Sequence, residues 1–343
     1  MAVLVTGATG FIAQHVIKEL LKQGYDVIGT VRSEAKGKYL SGLFDSTRFT
    51  YAVVSDVVAK GAFDEVLESQ KDIETFIHTA SPVDFQVKDV QKALLTPAIE
   101  GTKNVLNAIE KYGNVKTVIV TSSTAAVRDS SGNRDPDERI TESTWNKITL
   151  EQGLASGRLG YDAAKTFAEK EVWRFAEKHE QNFNVITVNP TFVFGPQAFE
   201  IKDLNNLNES AEMVNRVLKL KSTDTIPHHV SRFIDVRDVA KAHVEAVKRP
   251  NELKGTRLML LSYGCTNELI AYIINQHFPS VDIPKGSMQT HEQQLKVGDM
   301  KWDNSKTKSL LKHEFISLED SIVDTVQQIL DAKECNCAVK KKL

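Results

Sequence analysis

The sequence contains few cysteines and no long apolar segment. Only three of its 343 residues are cysteines (Cys265, Cys335 and Cys337), and this odd number provides no disulfide framework. Cys335 and Cys337 lack the two-residue spacer that is typical of zinc clusters, so we predict no metal site. No apolar run approaches the length that spans a bilayer, and we expect neither a signal peptide nor a transit peptide. We therefore expect a cytoplasmic protein with reduced thiols and no membrane partner.

The chain also has no large excess of positive or negative charge. The chain has 43 Lys and Arg residues against 45 Asp and Glu residues, which gives a formal net charge of −2. This balance gives no reason to expect nucleic acid or an anionic membrane as a partner. Hydrophobic residues make up 41% of the chain, which is ample material for a large core.

Short apolar segments alternate with longer amphipathic segments over the first 190 residues. Because such alternation is typical of right-handed βαβ units, it predicts an α/β fold with a Rossmann doubly wound parallel sheet. The predicted strands are Val3–Val5, Val27–Val31, Phe49–Val54, Thr75–His78, Thr117–Val120 and Val185–Val188, with a further strand at Arg257–Leu261. A long helix is predicted over Val90–Ile109.

The first predicted strand leads directly into a glycine turn and an amphipathic helix. Gly7 allows a tight turn, Gly10 lets the main chain approach a pyrophosphate, and Ala13 is small enough for the helix to pack closely on the sheet. The start of the helix then presents free N–H groups and the positive end of its dipole. A purely structural turn has the same pattern, but the strand before it and the helix after it favour a dinucleotide site.

The second βα unit indicates which dinucleotide is bound. In proteins that bind NAD, an acidic side chain near the end of the second strand holds the ribose hydroxyls, but Thr30 occupies that place here. Arg32 and Lys36 follow, and a guanidinium with an ammonium nearby suits a 2′-phosphate. Two surface cations would also fit the pattern, and Glu34 argues for NAD. We predict NADP(H).

The alternation of strands and helices ends after Asn189-Pro190, and helical patterns dominate from there. We predict an NADP-binding Rossmann domain of residues 1–190 plus about 231–262. A smaller, mainly helical substrate-binding domain is predicted for residues 191–230 plus about 263–333, followed by a tail of residues 334–343. The final Lys-Lys-Leu is interpreted as part of a solvated basic tail rather than as a targeting signal.

Tyr161 and Lys165 are separated by one helical turn and therefore share a helix face. A nearby cation stabilises a phenolate and lowers the phenol pKa, which makes a usable acid–base group. Ser123 follows the fifth predicted strand, where a serine can donate a hydrogen bond to a substrate carbonyl or cap a turn. Together, these three residues are candidates for catalysis.

Ser123, Tyr161 and Lys165 resemble the catalytic set of the extended short-chain dehydrogenase/reductase superfamily, and the resemblance covers nearly the whole chain. It is most similar to the dihydroflavonol-reductase-like branch, and within it to fungal NADPH-dependent methylglyoxal and ketone/aldehyde reductases. The matching segments are Thr6–Ile12, Val31–Ser33, His78–Phe85, Phe167–Lys170, Asn189–Gln197 and Phe233–Ala240.

This resemblance implies that NADPH delivers hydride to a carbonyl carbon while Tyr161 gives its proton to the oxygen. Ser123 would polarise the carbonyl, and Lys165 would hold the nicotinamide ribose and lower the pKa of Tyr161. Further cofactor contacts are implied for Gly7, Ala8, Thr9, Gly10, Phe11, Ile12, Arg32, Lys36, Asp56, Val57, Ala80, Thr191, Val193 and Ser210. Phe85, Thr124 and Phe194 would line the substrate pocket.

We therefore expect NADPH-dependent reduction of small aldehydes and ketones, with 2-oxoaldehydes such as methylglyoxal among the substrates. Two alternatives stay open: a nucleotide-sugar epimerase or dehydratase of the same fold, and a non-enzymatic NADP(H) sensor. Scattered cations between Pro196 and Lys221 count against the epimerase, and the retained Tyr161 and Lys165 count against the sensor. The resemblance also implies a homodimer, formed by the helix of Val90–Ile109 and the helix of Tyr161.

Overall fold

A computed structural model describes residues 2–81, 85–133, 135, 137–297 and 300–340, with the backbone alone for residues 336–340. Its strands are β1 Ala2–Val5, β2 Asp26–Val31, β3 Phe49–Val53, β4 Ile73–His78, β5 Thr117–Thr121, β6 Arg139–Ile140, β7 Asn184–Pro190, β8 Phe192–Phe194, β9 Val230–Asp235, β10 Thr256–Leu260, β11 Gly264–Thr266 and β12 Lys301–Trp302. Its helices are α1 Phe11–Lys22, α2 Glu34–Phe44, α3 Asp64–Ser69, α4 Thr96–Tyr112, α5 Leu150–Gly153, α6 Gly157–Lys178, α7 Glu209–Val217, α8 Val236–Lys248, α9 Pro250–Leu253, α10 Asn267–His277, α11 Met288–Lys296, α12 Ser305–Leu311 and α13 Leu318–Lys340.

The chain divides into two compact units. Unit 1 contains Met1–Pro190, Ala240–Leu260 and Lys301–Lys312, and unit 2 contains Thr191–Val239, Leu261–Met300 and His313–Leu343. Nothing in the sequence predicted the return of Lys301–Lys312 to unit 1, and residues 231–239, which were predicted for the Rossmann domain, lie in unit 2. The last helix also continues to Lys340, where a tail was expected from residue 334.

Unit 1 contains a seven-stranded sheet in the order β10-β7-β5-β4-β1-β2-β3, and all of its strand pairs are parallel. The strands are mostly buried and apolar because helices cover both faces of such a sheet. The strand order reverses between β1 and β4. A doubly wound sheet binds its ligand outside the carboxyl ends of the strands at such a reversal. The predicted Rossmann fold is confirmed.

The predicted helix over Val90–Ile109 begins differently from expectation. Residues Gln91–Leu95 form a π-helical turn, and regular α-helix starts at Thr96. Pro97 has no N–H to donate to the carbonyl of Ala93, so the regular hydrogen-bond pattern cannot continue through this point.

Unit 2 has its own sheet and core. Its three strands pair in the order β11-β9-β8, with β8 parallel and β11 antiparallel to β9. The apolar faces of α7, α10 and α13 contribute to a buried cluster with Phe194 and Phe233. No helix among the described residues combines the length and the apolar character that crossing a membrane requires.

Candidate active site

The glycine turn lies between β1 and α1, at the carboxyl end of β1, where the strand order reverses. Gly7 has a φ of +65°, and a Cβ there would lie 3.1 Å from the Cα of Ala80, so both the conformation and the space require glycine. The N–H of Gly7 donates to the Thr30 hydroxyl at 3.2 Å, and the N–H of Ala8 donates to the Thr30 carbonyl at 3.0 Å. Thr30 therefore fixes the turn itself.

Thr6 connects this turn to the end of β4. Its hydroxyl accepts the N–H groups of Thr79 and Ala80, both at 3.1 Å, and it bonds Nδ1 of His78 at 2.9 Å. Burial, and to a lesser degree the charge of Lys165, lower the pKa of His78 to about 3. His78 is therefore a neutral structural partner at physiological pH.

The turn and helix start from Gly7 to Ile12, here called the cradle, suit the phosphates of a dinucleotide. Thr9 and Gly10 are exposed, and they lead into α1, a helix of 12 residues with no acidic residue in its first turn. Phe11 and Ile12 begin the helix and are half-buried. A helix start without acidic residues attracts anions through its N–H groups and its dipole.

The residues predicted to bind the 2′-phosphate follow β2. Arg32 and Lys36 are both exposed. The acidic side chain between them, Glu34, accepts a hydrogen bond from the Tyr51 hydroxyl at 2.8 Å. Tyr51 packs so closely on Gly37 that a Cβ there would lie 2.2 Å from the ring. Glu34, which argued for NAD, is thus engaged with a side chain of β3.

The loop after β3 carries Asp56 and Val57. The carboxylate of Asp56 accepts the N–H of Val58 at 2.9 Å, which shapes a local turn. Nδ2 of Asn104 on α4 donates to the carbonyls of Val57, Val58 and Ala59 at 3.0, 2.8 and 3.2 Å. Asn104 was not predicted from the sequence, because nothing in its local pattern indicates a partner about 46 residues away.

Ser123, Tyr161 and Lys165 come together in unit 1. Ser123 accepts the N–H of Ala125 at 3.1 Å and so caps a 3₁₀ turn over residues 124–126, and its hydroxyl donates to the Pro190 carbonyl at 3.4 Å. It is near enough to Tyr161 to lower the pKa of that phenol. Nζ of Lys165 lies 5.9 Å from the centre of the Tyr161 ring and donates to the Thr121 carbonyl at 3.2 Å. The capping role raised for Ser123 is observed, while a hydrogen bond from Ser123 to a substrate carbonyl stays a prediction.

Burial sets the ionisation of the site. It raises the pKa of Tyr161 above its usual value, and the smaller effect of the Ser123 hydrogen bond opposes it. Burial also lowers the pKa of Lys165 to about 8, against the charge of Glu169. Desolvation of the phenol outweighs the charges around it, and a lowering of the Tyr161 pKa by Lys165 stays a prediction.

A buried carboxylate supports the site from one helical turn further along α6. Glu169 accepts hydrogen bonds from five side chains, those of Ser122, Trp173 (3.0 Å), Thr187 (3.3 Å), Asn189 (2.7 Å) and Arg257 (2.6 Å). Nδ2 of Asn189 also donates to the carbonyl of Ser123 at 3.2 Å. The network therefore holds the segment that carries Ser123, and no local sequence pattern predicts it.

Arg257 completes this network from β10. Its guanidinium donates to the carbonyls of Glu142, Thr144 and Ala126 at 2.9, 2.5 and 3.3 Å. It also lies 4.0 Å from the centre of the Trp145 ring. The buried arginine thus ties β10 to the segment that follows Ser123.

The predicted substrate and cofactor residues divide between the two units. In unit 1, Phe85 packs edge-to-face on Tyr161 with 5.4 Å between ring centres, and Thr124 is buried directly after Ser123. In unit 2, Phe194 has no exposed surface and belongs to the core.

The other three predicted residues of unit 2 are cofactor candidates. The Thr191 hydroxyl donates to the Arg232 carbonyl at 3.4 Å, Val193 pairs with β9, and buried Ser210 accepts from Asn208 at 2.8 Å. In the described part of the chain, no three His, Cys, Asp or Glu side chains are grouped to hold a metal ion.

Comparison with known proteins decides the family. The model of the NAD dependent epimerase/dehydratase family matches residues 3–260. The chain belongs to this family. Within it, the chain is 44% identical to the putative NADPH-dependent methylglyoxal reductase GRP2 of Candida albicans, over 96% of this chain and 98% of that protein. The predicted resemblance to fungal methylglyoxal reductases is confirmed.

Solved structures of family members agree with the sequence relatives. Gre2 of Candida albicans in complex with NADPH has a TM-score of 0.90 and 43% identity, covering 97% of this chain and 99% of that one. Yeast methylglyoxal/isovaleraldehyde reductase Gre2 with NADPH has a TM-score of 0.91 and 38% identity, with the same coverage.

Proposed function

We propose that this protein is an NADPH-dependent reductase of small aldehydes and ketones, with 2-oxoaldehydes such as methylglyoxal among its substrates. The observation that carries the proposal is the meeting of Ser123, Tyr161 and Lys165 in the unit that holds the glycine turn. The named activities of relatives that match almost the whole chain support it.

The cofactor site of the proposal is the cradle of Gly7 to Ile12, with Arg32 and Lys36 on the 2′-phosphate. Asp56, Val57 and Ala80 would line the adenine and ribose. The cofactor contacts of Thr191, Val193 and Ser210 stay predictions. A reduced nicotinamide bound there supplies a hydride to a carbonyl carbon. Arg32 and Lys36 support NADPH over NADH, because both are exposed after β2 and a guanidinium with an ammonium nearby suits a 2′-phosphate.

The protein's own side chains supply hydrogen bonds and the proton. Ser123 donates a hydrogen bond to the carbonyl oxygen and so stabilises the negative charge that develops there. Tyr161 gives its proton to the same oxygen, and its raised pKa keeps the phenol protonated at neutral pH until an alkoxide forms. Lys165 attracts the phenolate that remains. Phe85 and Thr124 are the proposed walls of the substrate pocket, whereas Phe194, with no exposed surface, is not.

The experiment is a turnover assay on the full chain with NADPH or NADH and a panel of methylglyoxal, other small aldehydes and ketones, and a nucleotide sugar. We expect NADPH to be consumed with the carbonyl compounds, each giving one alcohol per cofactor oxidised. Conversion of the nucleotide sugar without net cofactor consumption would indicate the epimerase instead. Tight NADPH binding without turnover of any compound would indicate the sensor.

We also propose a cytoplasmic homodimer in which α4 and α6 form the interface, as the superfamily resemblance implies. Free thiols at Cys265 and Cys335 suit a reducing compartment. Sedimentation velocity at micromolar concentration tests the assembly. A species of twice the 38.2 kDa chain mass is expected, and a lone 38.2 kDa species would contradict it.

A further inference from the structure

A cavity of about 470 Å³ opens in unit 1 beside the first turns of α6. Its walls come from the segment that follows Ser123, at residues 128–132, and from α6 at residues 158–162. This volume lies in the range of sites that hold small organic ligands. No residue predicted from the sequence lines it.

The two carboxylates in its wall are already paired. Asp162 accepts from the guanidinium of Arg128 at 3.0 Å. Asp129 lies 3.8 Å from the ammonium of Lys147 and accepts the N–H of Ser131 at 2.9 Å. Burial is the largest effect on the pKa of Asp162 and raises it, while the charge of Arg128 and, after it, the charge of Arg158 lower it, so Asp162 also interacts with Arg158.

Arg158 is the remaining charged side chain of the wall. It is exposed, and among the residues that the structure describes no carboxylate lies within 4.0 Å of its guanidinium. It stands in the first turn of α6, which contains no acidic residue, so the helix dipole adds to its positive field. The cavity thus offers a cation to a ligand.

Phe85 connects this cation to the reacting phenol. Its ring centre lies 5.7 Å from the guanidinium carbon of Arg158 and 5.4 Å from the ring centre of Tyr161. Arg158 precedes Tyr161 by three residues, so both side chains emerge on neighbouring positions of one helix face. The charge of Arg158 reaches the phenol, because it lowers the pKa of Tyr161 against the larger effect of burial.

We propose that Arg158 binds an anionic group of the substrate, so that the preferred substrates are small oxo acids whose carboxylate lies a few bonds from the carbonyl. A guanidinium suits a carboxylate because it can donate two parallel hydrogen bonds. The Phe85 ring would pack on the carbon chain between the two groups. This inference rests on the proposed reductase function and adds a substrate class to it.

The test compares 4-oxopentanoate with its methyl ester, which differ in charge and share the reacting ketone. At saturating NADPH, Arg158→Gln should lower kcat/KM for the acid about 10- to 100-fold, the range expected when a charge-assisted hydrogen bond is lost. The ester should lose much less than the acid, because it shares only the effect of the Arg158 charge on the Tyr161 pKa. Arg158→Lys should retain part of the preference for the acid because the charge remains. Arg174→Gln, on the same helix but paired with Glu171, is the matched control.

Both compounds are also measured as inhibitors of methylglyoxal reduction, so that a compound that is not turned over still reports binding. A rising salt concentration should weaken the binding of the acid and leave the binding of the ester unchanged. Equal effects of Arg158→Gln on acid and ester, or no binding of either while methylglyoxal is reduced, would overturn this inference alone. Failure to reduce methylglyoxal and every other carbonyl would instead overturn the proposed function.

Discussion

Burial shifts the pKa values of Tyr161 and Lys165 in opposite directions, because it disfavours the charged form of each side chain. The phenol becomes harder to ionise, while the ammonium becomes easier to deprotonate. In the direction of carbonyl reduction the first effect keeps a proton available. The second effect has a cost in stability, since a charged amine is held in the interior at neutral pH.

That cost can be measured at Lys165. Its pKa is about 8 in the fold and 10.5 ordinarily, so between these pH values the unfolded chain holds the extra proton and rising pH stabilises the fold. From pH 7 to 10.5, the free energy of unfolding of the wild type should rise by about 3 kcal/mol relative to Lys165→Met. Urea unfolding across this pH range checks it, with Lys170→Met as the control. Parallel pH curves for wild type and Lys165→Met would contradict the prediction.

Arg32 tests the cofactor preference at a single side chain. Replacing its guanidinium with a carboxylate should repel a 2′-phosphate, so Arg32→Asp should raise the KM for NADPH about 10-fold or more. NADH lacks that phosphate, and its KM should change much less. Initial rates with both cofactors check this, and Lys38→Asp in α2 controls for a general charge effect. Equal changes in the two KM values would remove the assignment to NADPH.

At the scale of elements, α6 contains the phenol, the ammonium and the supporting carboxylate at successive turns. The sequence was sufficient to predict that Tyr161 and Lys165 are adjacent, because helical spacing is a local property. It was not sufficient to predict the contacts of Glu169, because its partners directly after β5 and on β7 and β10 are distant in the chain. Side-chain networks of this kind depend on tertiary packing rather than on local pattern.

The pairing of Glu169 with Arg257 makes a stability prediction. Glu169→Gln leaves the Arg257 guanidinium buried without a counter-charge, which should cost about 3–5 kcal/mol in free energy of unfolding. The added change Arg257→Met should recover part of the loss, since the unpaired charge is then absent. Urea unfolding of the single and double variants measures both effects.

Glu171→Gln on the same helix is the control, because its exposed pair with Arg174 should contribute less than about 1 kcal/mol. A loss at Glu169→Gln no larger than that of the control would show that the network contributes little to stability.

At the scale of the whole molecule, the parallel sheet followed from the sequence because each of its strands is a short apolar segment between turn signals. The smaller sheets did not. Strand β9 begins with exposed and half-buried residues, and β12 has only two residues, so neither has a recognisable pattern. The return of Lys301–Lys312 to unit 1 depends on contacts such as the Thr307 hydroxyl with Glu142 at 2.7 Å, which span 165 residues.

The central claim is that Tyr161 supplies the proton for carbonyl reduction. The most direct measurement is kcat for methylglyoxal at saturating NADPH in the wild type and in Tyr161→Phe, with NADPH affinity measured separately and Tyr112→Phe as the control. Loss of a general acid should lower kcat by about 10²- to 10⁴-fold while NADPH affinity stays within a few-fold. Turnover in Tyr161→Phe close to that of the wild type would contradict the account.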